Sequence, residues 1–519
     1  MKQSNSNVVF LIALIVALGG LLMGFDASVI SGVVGFIEEE FELTKLQLGW
    51  SVASLTLTST LAMMVAGPLS DRFGRRAVLR VAAILYAISA IASALAPDFV
   101  SLVIARMIGG FGVGASLILA PLYIAEISPK ELRGRLVSFN QLNIVIGISL
   151  AFFSNYWILQ LGKSDASWIA DLGIDKHNWR WMLGLETLPA ILYFFGLFLV
   201  PRSPRWLIMN GQEEEAQKVM ARVAGNERAL EELDRIKKNI QDDEGKDKAS
   251  IGELFRPALK LVLSIGIVVA ILQQITGINS VFFYAPMIFE QSGLGTDASF
   301  MQAILVGLVN LGFTVLAILF IDKLGRKPLL IGGVAGIVIS MFVLSYGFKS
   351  ATFNLKSEDI TSLALEADLS TVEGQVYTSA DAFKSAVEPL VAADIWEEKS
   401  QDIINSAIEL NTFLILTAIL AFVASFAISI GPVMWVLFSE LFPNRIRGIA
   451  ISFVGLINSA VSFTVQWVFP WELEVLGSST TFLIYGIFAL AGLIFIIRVV
   501  PETKGRSLEE LEKLLVKKD

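Results

Sequence analysis

Two charges stand where a bilayer makes charge costly. Asp26 lies in the apolar run Val8–Ile37, and Arg106 is the one lysine or arginine well inside an apolar run. Ionisable groups at membrane depth are rare and, as a rule, functional. By helix rise, Asp26 sits about 15 Å and Arg106 about 9 Å from the same surface, similar enough depths to pair. Such a pair either locks two helices or serves as a proton site. A carboxylate parted from its cation in a low-dielectric cavity takes up a proton. Glu186 is a second candidate for this proton coupling, with helix packing as its alternative.

Six amides occupy similar apolar surroundings: Gln141, Gln273, Gln274, Asn279, Asn310 and Asn458. A buried amide must be hydrogen-bonded. Its two donors and two acceptor lone pairs suit a ligand covered in hydroxyls. Any one of them alone reads equally as an inter-helix bond. Six together, with Trp435 just after the helix-breaking Gly431-Pro432, point to a polar cavity. The indole suits the apolar face of a sugar ring. The scarcity of fixed charge argues against an organic anion or a nucleotide.

A third set of charges falls at the ends of apolar runs and repeats. Asp71-Arg72-Phe73-Gly74-Arg75-Arg76 matches Asp322-Lys323-Leu324-Gly325-Arg326-Lys327 at an offset of 251. Glu126 with Arg133-Gly134 matches Glu440 with Arg447-Gly448 at an offset of 314. Acidic partners at repeated positions favour ion-pair networks that hold one state of the molecule and part in another. The alternative is that these are only topogenic charges.

The elements that must hold these residues are membrane helices. Of 519 residues, 55% are hydrophobic and only 17% charged, against about 25% charged in soluble domains. Apolar runs of 18 or more residues read as spans. They are predicted near 8–36, 49–69, 77–96, 100–127, 135–161 and 179–200, then near 257–290, 299–321, 328–348, 411–441, 449–470 and 479–499. The first run is too long for a signal peptide and is read as the first span. Two six-helix halves, 1–200 and 257–499, flank a polar linker of amphipathic helices at 201–256, and 500–519 form a tail. The growth in offset places an insertion between Lys327 and Glu440. It is the acidic segment 350–409, which holds twelve carboxylates against three lysines.

Lysines and arginines cluster in the loops after spans 2, 4, 8 and 10. The positive-inside rule then puts both termini and the linker in the cytoplasm of a cell-membrane protein, with the insertion outside. The absence of cysteine removes thiol catalysis and disulfides, and His177 is the single histidine. No phosphate-binding G-x-x-x-x-G-K-S/T loop occurs, so no ATP module is expected. No enzyme chemistry, metal, cofactor or nucleic-acid partner is expected. The expected partners are a monosaccharide and the lipid bilayer, the coupling ion is a proton, and the chain is expected to be a monomer.

Together these motifs resemble the sugar porter family of the major facilitator superfamily, and bacterial proton-coupled symporters of the D-xylose type in particular. The likeness is carried by Gly24–Asp26 through Gly32, Asp71–Arg76, Arg106–Gly110, Tyr123–Glu126, Arg133–Arg135, Val137–Gln141, Gln273–Asn279, Asp322–Lys327, Gly431–Trp435, Glu440–Pro443 and Pro501–Gly505. It implies an all-α integral membrane fold of twelve helices in two pseudo-symmetric halves that alternate access. It also implies that Asp26 accepts the proton with Arg106 as its partner. Sugar contacts are implied from Gln141, Gln273, Gln274, Asn279, Asn310, Trp435 and Asn458, with Phe283 and Tyr284 alongside. Family facilitators usually carry a neutral residue at the position of Asp26. The expected function is therefore import of a monosaccharide by proton symport. An uncoupled facilitator and a non-transporting sugar receptor are the alternatives. Three positions depart from the pattern. Phe283 and Ser459 replace aromatic residues of xylose-type relatives, and Arg202 in Pro201–Arg205 replaces the usual glutamate.

Overall fold

The computed structural model describes residues 6–129, 132–244, 250–357, 360, 369–443, 445–506 and 508–515. Among them, twelve helices are long and apolar enough to cross a bilayer. Spans 1 to 6 are Asn7–Gly32, Lys45–Phe73, Arg75–Ala94, Phe99–Ile127, Arg133–Gly162 and Asn178–Leu199. Spans 7 to 12 are Pro257–Phe283, Thr296–Ile321, Arg326–Lys349, Thr412–Leu441, Arg447–Val475 and Gly477–Val499. Only a structure that satisfies its own backbone can cross hydrocarbon, which is why these runs are helices. Leu61, Met64, Leu192, Phe195 and Leu199 are exposed on their outer faces, where lipid replaces water as solvent. Two spans begin on capping boxes, Thr44 with Gln47 and Asp98 with Ser101, which satisfy N–H groups that the helix itself leaves free.

Three spans are broken, and the breaks fall beside the candidate residues. Span 6 stops at Gly184 and restarts at Thr187, with Glu186 between. Span 7 stops at Ile275 and restarts at Ile278. Span 10 stops at Ile428 and restarts at Ile430, so its break lies at Ser429, two residues before the Gly431-Pro432 pair.

The halves meet mainly at the end of the bundle remote from the arginine clusters. One continuous apolar core there joins Phe25, Val29 and Phe152 of the first half to Tyr284, Phe289 and Phe300 of the second. At the arginine-rich end the first half keeps a core of its own, including Val9, Leu79, Ile124 and Leu136. Polar contacts between the halves follow the same pattern. Trp467 Nε1 donates to Leu46 O at 3.2 Å, Ser149 Oγ to Gly307 O at 3.0 Å, and Gln160 and Lys163 both reach Asp297. The bundle is therefore shut at the end remote from the arginines.

Linker helices Pro204–Met209, Glu213–Ala224 and Asn226–Glu244 cover the arginine-rich end of the first half. The acidic segment folds on itself. Strand β1 (Thr352–Asn354) pairs antiparallel with β2 (Val376–Tyr377) on one side and β3 (Ile408–Glu409) on the other. A helix, Ala380–Val387, follows β2, and Pro389 sits in the short 3-10 turn after it. Phe353, Phe383, Val387 and Ile403 form a separate small core beneath the sheet.

Candidate functional site

Asp26 and Arg106 come from spans 1 and 4 and meet at 3.3 Å between Oδ1 and Nη1. Both are sealed in, at 1% and 2% exposure. Arg106 also donates to two carbonyls, Ser51 O at 3.2 Å and Asp26 O at 3.4 Å. The guanidinium is thus held by backbone that does not depend on the aspartate side chain. Asp26 Oδ2 has no partner among the described residues. Glu186 stands at the break of span 6, equally buried, and its Oε1 is also unpartnered.

The second half carries a connected set of amides. Gln273 donates to Gly431 O at 3.3 Å and accepts from Asn458 Nδ2 at 2.8 Å and Gln274 Nε2 at 3.1 Å. Gln274 Oε1 accepts from Asn279 Nδ2 at 2.8 Å, and Asn279 also donates to Ser462 Oγ at 2.7 Å. The chain continues from Gln466 Nε2 to Ser462, and Thr56 of the first half donates to Gln466 Oε1 at 2.9 Å. A connected polar network of this kind orients every member. Thr56, Ser462 and Gln466 escaped the sequence reading. A signal for two of them exists, because Asn458, Ser462 and Gln466 recur every four residues and so share one face of span 11.

The other expected contacts divide. Gln141 is exposed and Trp435 is 47% exposed, whereas Asn310 is buried. Phe283 and Tyr284 lie in the packed core, and the Tyr284 hydroxyl donates to Gln466 O at 3.0 Å. Tyr284 therefore supports the network from behind.

Gly277 shapes this region. Its φ of +86° lies in the left-handed region, which costs a residue with a Cβ about 1–2 kcal/mol. A Cβ there would also stand 2.4 Å from the Tyr485 ring. That ring is pinned, since its hydroxyl donates to Glu472 Oε2 at 2.7 Å. Gly277→Ala is expected to destabilise the fold by at least the backbone cost of about 1–2 kcal/mol, read as a lower midpoint of thermal unfolding in detergent. An unchanged midpoint would show that the backbone relaxes out of the left-handed region as well as that the ring yields.

The repeated end charges form two matching clusters, each inside one half. Arg75 bonds Asp71 at 2.8 Å and Glu126 at 3.0 Å, and Arg326 bonds Glu440 at 2.9 Å. Both arginines also donate to the carbonyl five residues earlier, Ser70 O and Ile321 O. Hydroxyls complete the pattern, Ser203 on Glu126 and Thr503 on Glu440. Neither hydroxyl was expected, although both lie in the proline-containing segments after spans 6 and 12.

Arg76 caps Val200 O, Lys327 caps Ile497 O, and Arg447 donates to Phe442 O. Arg133 keeps a buried Nε without a partner among the described residues. The side chain of Asp322 lies outside the described residues. The departure at Arg202 has a visible consequence: it turns to Glu215 and Gln212 of the linker. Glu502 in the second half instead caps the first N–H groups of span 9, Arg326 and Lys327. Burial pushes the Glu502 carboxyl up, but these N–H donors and those of Lys504 and Thr503 hold it below the ordinary value.

The family model described as "Sugar (and other) transporter" matches residues 12–365 and 389–515. The gap falls inside the acidic segment. The chain is 36% identical over 544 residues to the D-xylose-proton symporter of Escherichia coli (strain K12), covering 99% of this chain and 96% of the relative. It is 34% identical over 516 residues to the arabinose-proton symporter of Bacillus subtilis (strain 168), covering 99% and 97%. Among solved structures, it superposes on the inward-open conformation of the xylose transporter XylE from E. coli with a TM-score of 0.75 and 34% identity, covering 98% of this chain and all of the other.

Proposed function

The chain belongs to the sugar transporter family within the major facilitator superfamily, and from that premise we propose that it imports a pentose or hexose by proton symport with alternating access. The observation that carries the proposal is the joint presence of a closed amide network without fixed charge and a sealed Asp26–Arg106 pair. The amides Gln273, Gln274, Asn279 and Asn458 offer donors and acceptors to sugar hydroxyls. The exposed Gln141 and Trp435 supply the approach. Protonation of Asp26 weakens its hold on Arg106 and lets spans 1 and 4 part, which couples the proton to the change of access. The end charges complete the cycle. In this state Arg75–Glu126 and Arg326–Glu440 stay within their own halves. Closure at that end would bring the clusters together. The positive loops support a cytoplasmic position for this end.

The test is external pH in unbuffered proteoliposomes on addition of D-xylose, L-arabinose, D-glucose or D-galactose in turn. Alkalinisation with one of them supports symport and names a substrate. Sugar entry without a pH change would make the protein a facilitator, and binding without entry a receptor. Gln273 sits at the centre of the network, so Gln273→Ala leaves several buried groups unpaired. At about 1–3 kcal/mol for such a loss, the half-saturating sugar concentration is expected to rise about tenfold or more. An unchanged value in an uptake titration would remove Gln273 from the site.

A further inference from the structure

One face of span 4 is floored by glycine. Arg106, Gly109, Gly112 and Ser116 follow at three- and four-residue steps and so share a face over about 15 Å. Neighbouring spans fill the space that the missing Cβ atoms leave. A Cβ on Gly109 would stand 2.5 Å from Ser89 Oγ and 2.9 Å from Asp26 Oδ2. On Gly112 it would meet the Tyr86 ring at 3.3 Å. Gly19 of span 1 allows the same close approach, since a Cβ there would stand 2.7 Å from Tyr193 Oη and 3.4 Å from Ser116 Cβ. Tyr86 and Tyr193 both lie against Ser116. The groove therefore runs from Asp26 past Ser89 and Tyr86 to Ser116 and Tyr193, toward the arginine-rich end.

None of these side chains is more than 2% exposed. Even so, Asp26 Oδ2 has no hydrogen-bond partner among the described residues, and there the Tyr86 and Tyr193 hydroxyls reach no partner beyond the Ser116 hydroxyl. Buried polar atoms in native folds pair with protein or with ordered water almost without exception. Hydroxyls in mutual contact beside an unpartnered carboxylate oxygen form a chain of groups that each donate and accept a proton. Asp26 itself is sealed, so the groove, and not the amide network, is its polar connection toward that end.

We propose that this groove is the proton's own route, separate from the path of the sugar. It rests on the reading of Asp26 as the proton acceptor. The proton leaves the Asp26 carboxyl for Ser89 and passes by way of Tyr86, Ser116 and Tyr193 to solvent water at the arginine-rich end. Each hydroxyl takes a proton on a lone pair and gives up its own, so the relay ends as it began. The Asp26 carboxylate is left free to pair again with Arg106.

Two assays on Tyr86→Phe, Tyr193→Phe and Ser116→Ala test the route. One is sugar-driven alkalinisation with net uptake, using the sugar that gives the wild-type signal. The other is exchange of labelled sugar at equal concentrations on both sides, which needs no net proton release. Net proton-coupled uptake is expected to fall about tenfold or more in at least the tyrosine variants while exchange stays within about twofold, the range of a lost proton-transfer group. Equal losses in both assays would mark the residues as structural and overturn the relay. A wild-type signal that survives in all three variants would overturn the relay alone. Wild-type protein that exchanges sugar without moving protons, or moves no sugar, would overturn the symport reading and the relay with it.

Discussion

Asp26→Asn is expected to abolish sugar-driven alkalinisation and to cut uphill accumulation by about a hundredfold or more, the scale of losing an obligatory proton acceptor. Asparagine matches aspartate in shape and still presents an oxygen to Arg106, but it takes up no proton near neutral pH. Loss of a buried charge normally strands its partner at a cost of about 3–5 kcal/mol. Here the stranded guanidinium keeps two carbonyl acceptors, Ser51 O and Asp26 O. The variant is therefore expected to fold and to retain exchange of sugar down its gradient. Uptake and exchange measured on equal amounts of protein decide the matter. If alkalinisation persists, Asp26 is half of a structural ion pair and the proton enters elsewhere.

Gly49→Trp carries the second large effect, and by a different route. A Cβ at Gly49 would stand 1.8 Å from Trp467 O, so any side chain there collides with backbone. The surrounding seal is aromatic: Trp50 meets Phe463 and Trp467 edge-on at 5.8 and 5.7 Å. Spans 2 and 11 cannot close on an indole at this point, and the protein is held open at the end remote from the arginines. A ligand cannot shift a carrier into a conformation that sterics forbid. Net uptake and exchange are both expected to fall about a hundredfold or more, while sugar binding measured by calorimetry persists. Exchange that survives would show that spans 2 and 11 need not meet in the transport cycle. The two variants thus separate coupling from movement, since only the second removes exchange.

The acidic insertion shows how far local pattern reaches. Its charge and its place between spans 9 and 10 follow from composition and from the change in repeat offset. The three-stranded sheet does not. Its strands are two or three residues long, and β1 finds its partners far along the chain, at Val376 and Ile408. Nothing periodic marks such short strands. The amides divide in the same way. Gln273, Gln274, Asn279 and Asn458 stand out because hydrocarbon makes an isolated amide costly. Ser462 and Thr56 are small, common in membrane helices and unremarkable until a partner is seen.

What the chain determines by itself is therefore what each residue type must do wherever it lies. Apolar runs of spanning length must become helices, end arginines must stay out of the membrane, and a buried Asp26 or Arg106 must find a partner. The repeat adds that the two halves must be built alike. The tertiary structure alone decided the contacts that depend on relative placement. These include the turn of Tyr284 behind the network, the carbonyls that hold Arg106, the Ser203 and Thr503 hydroxyls on the end glutamates, and the glycine-floored groove beside Asp26. Helix formation is a local bargain between a residue and its solvent. Which faces meet depends on spans hundreds of residues apart, and closing one end of the bundle selects among several packings that the same local pattern permits.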